Sequence, residues 1–184
     1  TVAANLAQVV AARGWRVCLV DTDLTKPDLS ELALRHGQRL TGPGLGGVLS
    51  GSATLDQGVV GPTASGVAWL PVGDARGLPA ERLGTTAFAE MLDGLRKRFD
   101  LILVDTTPVL TGTAPLLVAP FVDGALYVAE AFALNRSGHS EVRERLEGTG
   151  VPIIGAALNK VRRAYARPFA VHRYATRAGG RHAA

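Results

Sequence analysis

Cysteine is almost absent: Cys18 is the only one among 184 residues. A lone thiol excludes a disulfide framework and any multi-cysteine zinc site, and it points to a reducing, cytoplasmic compartment. Cys18 lies in an apolar run and reads as core. Aromatic residues are scarce at 5%, so base stacking has little to work with and no nucleic-acid partner is expected. Long apolar runs are missing as well. The longest apolar region, from Leu110 to Leu134, is broken by Pro115, Pro120 and Asp123, short of the roughly 18 residues that a membrane span needs. No basic stretch followed by an apolar one stands near Thr1, so no secretory leader is expected. The four histidines, His36, His139, His172 and His182, show no metal-ligand spacing.

What remains is the composition of a folded chain. Apolar residues make up 47%, and 22 Gly with 10 Pro stay below the roughly 25–30% that marks low complexity. The length predicts one domain. Charge is divided unevenly. From Lys160 onward stand seven Lys or Arg and no acid, which leaves 13 basic against 16 acidic residues before it; the body carries −3 and the tail +7. A basic tail on a mildly acidic body suits an anionic surface, a partner or a solvated end better than it suits a nucleic-acid-binding domain.

Hydrophobic periodicity predicts alternating elements. Val2, Leu6, Val9 and Val10 before Gly14 predict a helix over 1–13, and Val17-Cys18-Leu19-Val20 predicts a buried strand ending at Asp21. A polar, Gly-rich stretch over 36–66 contains a short helix at 45–49, and Val67 to Pro71 reads as a strand. Phe88, Met91, Leu92 and Leu95 predict a helix over 79–99. A second fully apolar strand, Leu101 to Val104, ends at Asp105. Further on come a short helix at 113–120, a strand at 125–129, a helix at 137–148 and a last strand at 153–158. This alternation predicts an α/β fold with a mostly parallel sheet covered by helices on both faces. Residues 1–160 then form the domain, and 161–184 form a basic tail without periodicity.

In open parallel sheets, ligands bind at the carboxyl ends of the strands. Asp21, Asp23 and Asp105 are therefore expected to converge on one crevice, where oxygen ligands favour Mg²⁺. Each carboxylate is also well suited simply to cap the turn that follows it, and both readings stand at this point.

The segment Val17 to Leu29, VCLVDTDLTKPDL, resembles the modified second Walker motif of the bacterial tyrosine kinases of capsule and exopolysaccharide synthesis. Leu101 to Pro108, LILVDTTP, is similar to their Walker B segment. The resemblance extends in order through Gly44 to Leu49, Leu70 to Gly73, Glu81-Arg82-Leu83 and Val151 to Val161. It implies a P-loop NTPase-like fold. Thr1 to Ala7 is similar to the start of the helix that follows the P-loop in this family. The loop, ending in G-K-S/T, and the strand before it are thus expected to be lacking from this chain, with little catalysis and marginal stability as the consequences.

The resemblance also implies roles. ATP and Mg²⁺ are the expected cofactors. Asp23 is the expected catalytic carboxylate, which accepts the tyrosine proton and assists at the metal; Asp21 and Asp105 are the other expected metal ligands. Lys26 stands where the family has arginine, supplying charge without a bidentate fork, and is counted with Asp21 and Asp23 as catalytic. Thr1 is the candidate Mg²⁺-binding hydroxyl, and Asn159 is the residue expected to hydrogen-bond the adenine edge. Tyr165 and Tyr174 are the candidate phosphorylation sites in the tail. Expected partners are a membrane polysaccharide co-polymerase as activator and further copies of the protein, which places it at the inner face of the plasma membrane through that partner. Three positions depart from the family pattern: Thr107 replaces the first proline of D-T-P-P, Ala114 replaces an aspartate, and Glu130 replaces an arginine. Two other readings therefore stay open, a ParA/MinD-like partitioning ATPase and a nonenzymatic module that docks on a membrane partner.

Overall fold

The computed structural model describes residues 2–26, 29, 41–63, 65–75, 78–133 and 135–161. Its first helix, α1 (Val2–Ala11), runs into the turn at Gly14 (φ 89°), a conformation that glycine adopts without a Cβ clash, and the chain re-enters as β1 (Val17–Asp21). β1 is the centre of a three-stranded parallel sheet, flanked by β2 (Val67–Leu70) and β3 (Leu101–Asp105). The register sets Val17 beside Val67 and Leu101, and Asp21 beside Asp105.

Because side chains alternate along a strand, β1 feeds two separate cores. Cys18 and Val20 pack with Leu70, Phe88, Met91, Leu92 and Leu95 on one side. Val17 and Leu19 pack with Ala4, Ala7, Val67 and Trp69 on the other. The first core lies under α4 (Thr86–Arg96), the second under α1. Burial on both faces is why the strand reads as an unbroken apolar run instead of an alternating one. The thiol of Cys18 is pushed up to about 12 by that burial.

At the carboxyl end of β2, α2 (Gly44–Ser50) docks through backbone bonds, with Leu45 N donating to Pro71 O at 2.7 Å and Gly46 N to Val72 O at 2.9 Å. A Cβ on Gly44 would collide with the Pro71 carbonyl, so only glycine allows this approach. A second short helix, α3 (Leu55–Gly58), starts at a capping box made by Thr54 and Gln57. The Gly-rich reading of 36–66 missed it. The helix predicted over 79–99 is divided: a 3₁₀ turn covers Ala80–Gly84, Thr85 is extended, and α4 follows. Likewise α5 (Ala114–Val118) gives way to a 3₁₀ turn at Ala119–Phe121, where Pro120 removes a helix-type N–H donor.

The remaining strands, β4 (Ala125–Glu130) and β5 (Ile153–Asn159), pair with each other in parallel around α6 (Arg136–Glu147). They form a separate two-stranded sheet. Among the described residues no strand joins β3 to β4, so the strands that the alternation predicts form two sheets. Val142, Leu146 and Val151 make the core of this second unit, with Ala125, Tyr127 and Ile153 packed against it. Tyr127 points to α6 and shares a 2.7 Å hydrogen bond with His139 Nδ1. No helix among the described residues is long and apolar enough to cross a membrane.

Candidate functional site

The carboxyl ends of β1 and β3 are fastened by one residue that the sequence reading passed over. Thr22 is fully buried, and both its backbone N–H (2.9 Å) and its Oγ1 (2.6 Å) donate to the carbonyl of Asp105. This double bond to one oxygen continues the parallel register past the last strand residue. Asp21 and Asp105 are thereby held side by side on neighbouring strands, about 5 Å apart at the backbone. The signal in the sequence was a small hydroxyl between two aspartates, which is too common a pattern to single out.

Asp21 is only 1% exposed. Its Oδ1 accepts the backbone N–H of Asp23 at 3.2 Å, which starts the turn that leaves the sheet. Asp23 continues that turn: its Oδ1 accepts from Thr25 N at 3.1 Å, Thr25 Oγ1 at 2.8 Å and Lys26 N at 2.9 Å. One oxygen of Asp23 is therefore occupied by the local turn, as short acidic side chains commonly are. The two readings left open for this carboxylate are compatible, since Oδ2 takes no part in the turn. Lys26 is placed beside Asp23 by its own backbone N–H.

Among the described residues, no group of three His, Cys, Asp or Glu is arranged to hold a metal ion. Asp21 and Asp105 stand paired in register at the ends of β1 and β3, and Asp23 follows in the turn. A pair fits Mg²⁺: the cation takes one or two carboxylates and fills its octahedron with waters and phosphate oxygens. Two adjacent carboxylates, one of them buried, also favour a cation electrostatically.

Asn159 ends β5, in register with Glu130 at the end of β4. Its Oδ1 accepts Lys160 N–H at 2.9 Å, and Lys160 Nζ returns to Glu130 Oε2 at 2.7 Å. The amide oxygen being engaged, the group that Asn159 offers outward is its NH₂ donor. Thr107, the residue in place of a proline, has a buried Oγ1 with no hydrogen-bond partner and packs against Gly112. Thr1, Tyr165 and Tyr174 lie outside the described residues. A feature with no sequence signal is a cavity of about 500 Å³ lined by Pro43, Gly46, Gly47, Ser50, Ser52, Asp74 and Leu78.

Comparison with known proteins places this geometry. No family model matches the chain. Among curated proteins it is 32% identical over 161 residues to a putative tyrosine-protein kinase EpsB of Ralstonia nicotianae, covering 86% of this chain and 20% of that protein. It is 27% identical over 161 residues to the tyrosine-protein kinase CpsD of Streptococcus pneumoniae, covering 88% of this chain and 70% of that protein. The chain thus spans about a fifth of the length of EpsB. Among solved structures, the kinase domain of VpsO superposes with a TM-score of 0.78 at 31% identity, over 87% of this chain and 77% of that one. The septum site-determining protein MinD of Pyrococcus horikoshii, complexed with Mg-ADP, superposes with a TM-score of 0.67 at 25% identity, over 85% and 63%. The α/β architecture is that of the P-loop NTPases, and the chain belongs to the bacterial tyrosine kinase family.

Proposed function

We propose that the natural protein carrying this sequence is an ATP-dependent protein-tyrosine kinase that regulates capsule or exopolysaccharide synthesis and export. The observation that carries the reading is the pairing of Asp21 with Asp105 at the carboxyl ends of neighbouring parallel strands, followed at once by a turn that presents Asp23. Phosphoryl transfer needs little covalent chemistry from the protein; it needs positioning and charge neutralisation. Asp21 and Asp105 would hold Mg²⁺, which when bound neutralises phosphate charge. Asp23 Oδ2 accepts the proton of the tyrosine hydroxyl, while its Oδ1 remains fixed by Thr25 and Lys26. Lys26 contributes positive charge at the phosphate side, and Asn159 donates its amide N–H to an acceptor nitrogen on the adenine edge. In this reading Thr1 is a further hydroxyl for the metal, and Tyr165 and Tyr174 are acceptors of the phosphoryl group. A membrane co-polymerase as activator and self-association complete the proposal; the kinship with EpsB and CpsD supports it.

The test is a phosphotyrosine assay on the natural protein with Mg-ATP and its membrane activator. Phosphotyrosine that disappears on Asp21→Asn is the expected result. ATP hydrolysis stimulated by DNA or lipid with no phosphotyrosine would assign the protein to the partitioning ATPases, and absence of both activities would leave a docking module.

A further inference from the structure

β1, β2 and β3 all begin at one edge of the larger sheet, where Val17 stands beside Val67 and Leu101. Trp15 lies in the turn that enters this edge and is 53% exposed; Val9, in the last turn of α1, is 57% exposed. That turn runs alongside the segment leading into β3, because Asp100 N and Leu101 N both donate to Arg16 O, at 2.8 and 3.2 Å. Three cations on these turns and helix ends are neutralised. Arg16 is paired with Asp100 at 2.6 Å, Arg96 with Asp93 at 2.7 Å and Arg98 with Asp56 at 2.7 Å. Arg13 and Lys97 are exposed and have no acid partner among the described residues. One stands two residues before Trp15, the other three residues before the Asp100 that holds Arg16. An exposed indole is thus set among uncompensated positive charge.

We infer that this amino-terminal edge of the sheet rests on an anionic phospholipid surface, with Trp15 at the level of the headgroups and Arg13 and Lys97 facing their phosphates. An indole is apolar over its rings and polar at its N–H, which suits the boundary between acyl chains and water. Cations beside it are attracted by negative lipid charge, and here no acid of the protein competes for them. The edge is made of turns and helix ends, which present separate side-chain tips. A fluid headgroup layer adapts to such tips, whereas a folded acidic partner would need a surface shaped to meet them. The contact lies on the membrane without crossing it, in keeping with the lack of a spanning helix among the described residues. The inference makes no use of the nucleotide reading, but it sets an orientation. β1 is five residues long, so Asp21 and Asp105 stand about 13 Å away, at the opposite end of the sheet from the lipid.

The experiment uses the full 184-residue chain and vesicles of phosphatidylcholine with or without phosphatidylglycerol. The chain holds two tryptophans, and Trp69 is only 4% exposed, so Trp15 fluorescence reports the contact. Its emission should move to shorter wavelength with the anionic vesicles and stay unchanged with pure phosphatidylcholine. Trp15→Phe should abolish the shift. Arg13→Gln combined with Lys97→Gln should weaken binding about 25-fold in co-sedimentation, since each cation near an anionic leaflet is worth about 1 kcal/mol. Removing two charges elsewhere, by Arg136→Gln with Arg143→Gln on α6, should leave binding close to wild type. All four side chains are exposed, so neither double variant should change the melting temperature. Vesicle binding with the Trp15 emission unmoved would assign the attraction to the basic tail and overturn the inference. Equal weakening by the two double variants would overturn it too, as would an equal shift on pure phosphatidylcholine. Failure to bind either vesicle would rule out lipid and turn the search to an acidic protein.

Discussion

Replacing Asp23 in two ways separates its two oxygens. Asp23→Asn keeps an Oδ1 acceptor for Thr25 N, Thr25 Oγ1 and Lys26 N, and it removes the basic oxygen. Asp23→Ala removes both. The turn bonds are of helix-cap type and partly exposed, so their loss in the alanine variant should cost about 1 kcal/mol, as measured for comparable caps. For a chain of this size that corresponds to a drop of about 2–4 °C in Tm. The asparagine variant should melt within about 1 °C of wild type, because three neutral hydrogen bonds replace three charge-assisted ones on a partly solvated turn. Activity should respond differently. Loss of a general base commonly costs 10²- to 10⁴-fold, so both variants should lose that much phosphotyrosine formation in the natural protein. The assay is thermal melting by circular dichroism alongside a phosphotyrosine time course at saturating Mg-ATP. An asparagine variant that retains the wild-type rate within threefold would refute the base role. An alanine variant as stable as wild type would refute the turn role.

Thr22→Val should lower stability by about 1 kcal/mol, since one of two donors to the Asp105 carbonyl is lost while the backbone donor remains; Mg²⁺-dependent nucleotide binding should weaken with it, and Thr22→Ser should restore the binding, both read by calorimetry. Phe88→Ala empties a fully buried site that touches Phe121 edge-to-face at 5.8 Å and should cost about 3–5 kcal/mol in a urea titration. Cys18, its thiol raised to about 12 by burial, should resist alkylation at pH 8 in the native protein and react promptly in denaturant. The Arg16 guanidinium beside Asp100 holds that carboxyl down to about 2. A depressed carboxyl contributes stability above its unfolded pKa of about 3.9 and loses it as pH falls, so an acid titration of Arg16→Ala against wild type should show their difference shrinking between about pH 4 and 2.

The fold was legible where burial is symmetrical. VCLVD and LILVD each read as strands because both faces meet helices, and a fully apolar run of that length ending in an acid has few other uses. Helix boundaries were less legible. Thr85 interrupts the stretch from Pro79 to Phe99 by taking an extended conformation, and the periodic residues Phe88, Met91, Leu92 and Leu95 all lie after it, so their spacing could not show the break. The helix at Leu55–Gly58 escaped for the opposite reason. It is four residues long, too short to display a period, and its only signal was the Thr54–Gln57 capping box. Pairing across the gap between β3 and β4 lay beyond any local pattern, because hydrogen bonding between strands is decided by tertiary placement.

For the site, sequence spacing located the carboxylates but could not apportion them. D-x-D places two acids on the same side of an extended chain, and the expectation of three converging carboxylates took the strand direction to continue through Asp23. It does not: Asp21 Oδ1 accepts Asp23 N–H and turns the chain immediately, which leaves Asp21 with Asp105 and sends Asp23 towards Thr25 and Lys26. The residue that makes this division stable is Thr22, whose hydroxyl and N–H both bind the Asp105 carbonyl. A larger apolar residue or a glycine there would keep the backbone donor and lose the hydroxyl half of the clasp. The intervening threonine, buried between two acids, thus holds Asp21 and Asp105 in register while the turn carries Asp23 away from the sheet. The departures from the family pattern fall outside this clasp. Glu130 is engaged in an ion pair with Lys160 and Thr107 in a contact with Gly112, so neither change touches the Asp21–Thr22–Asp105 arrangement.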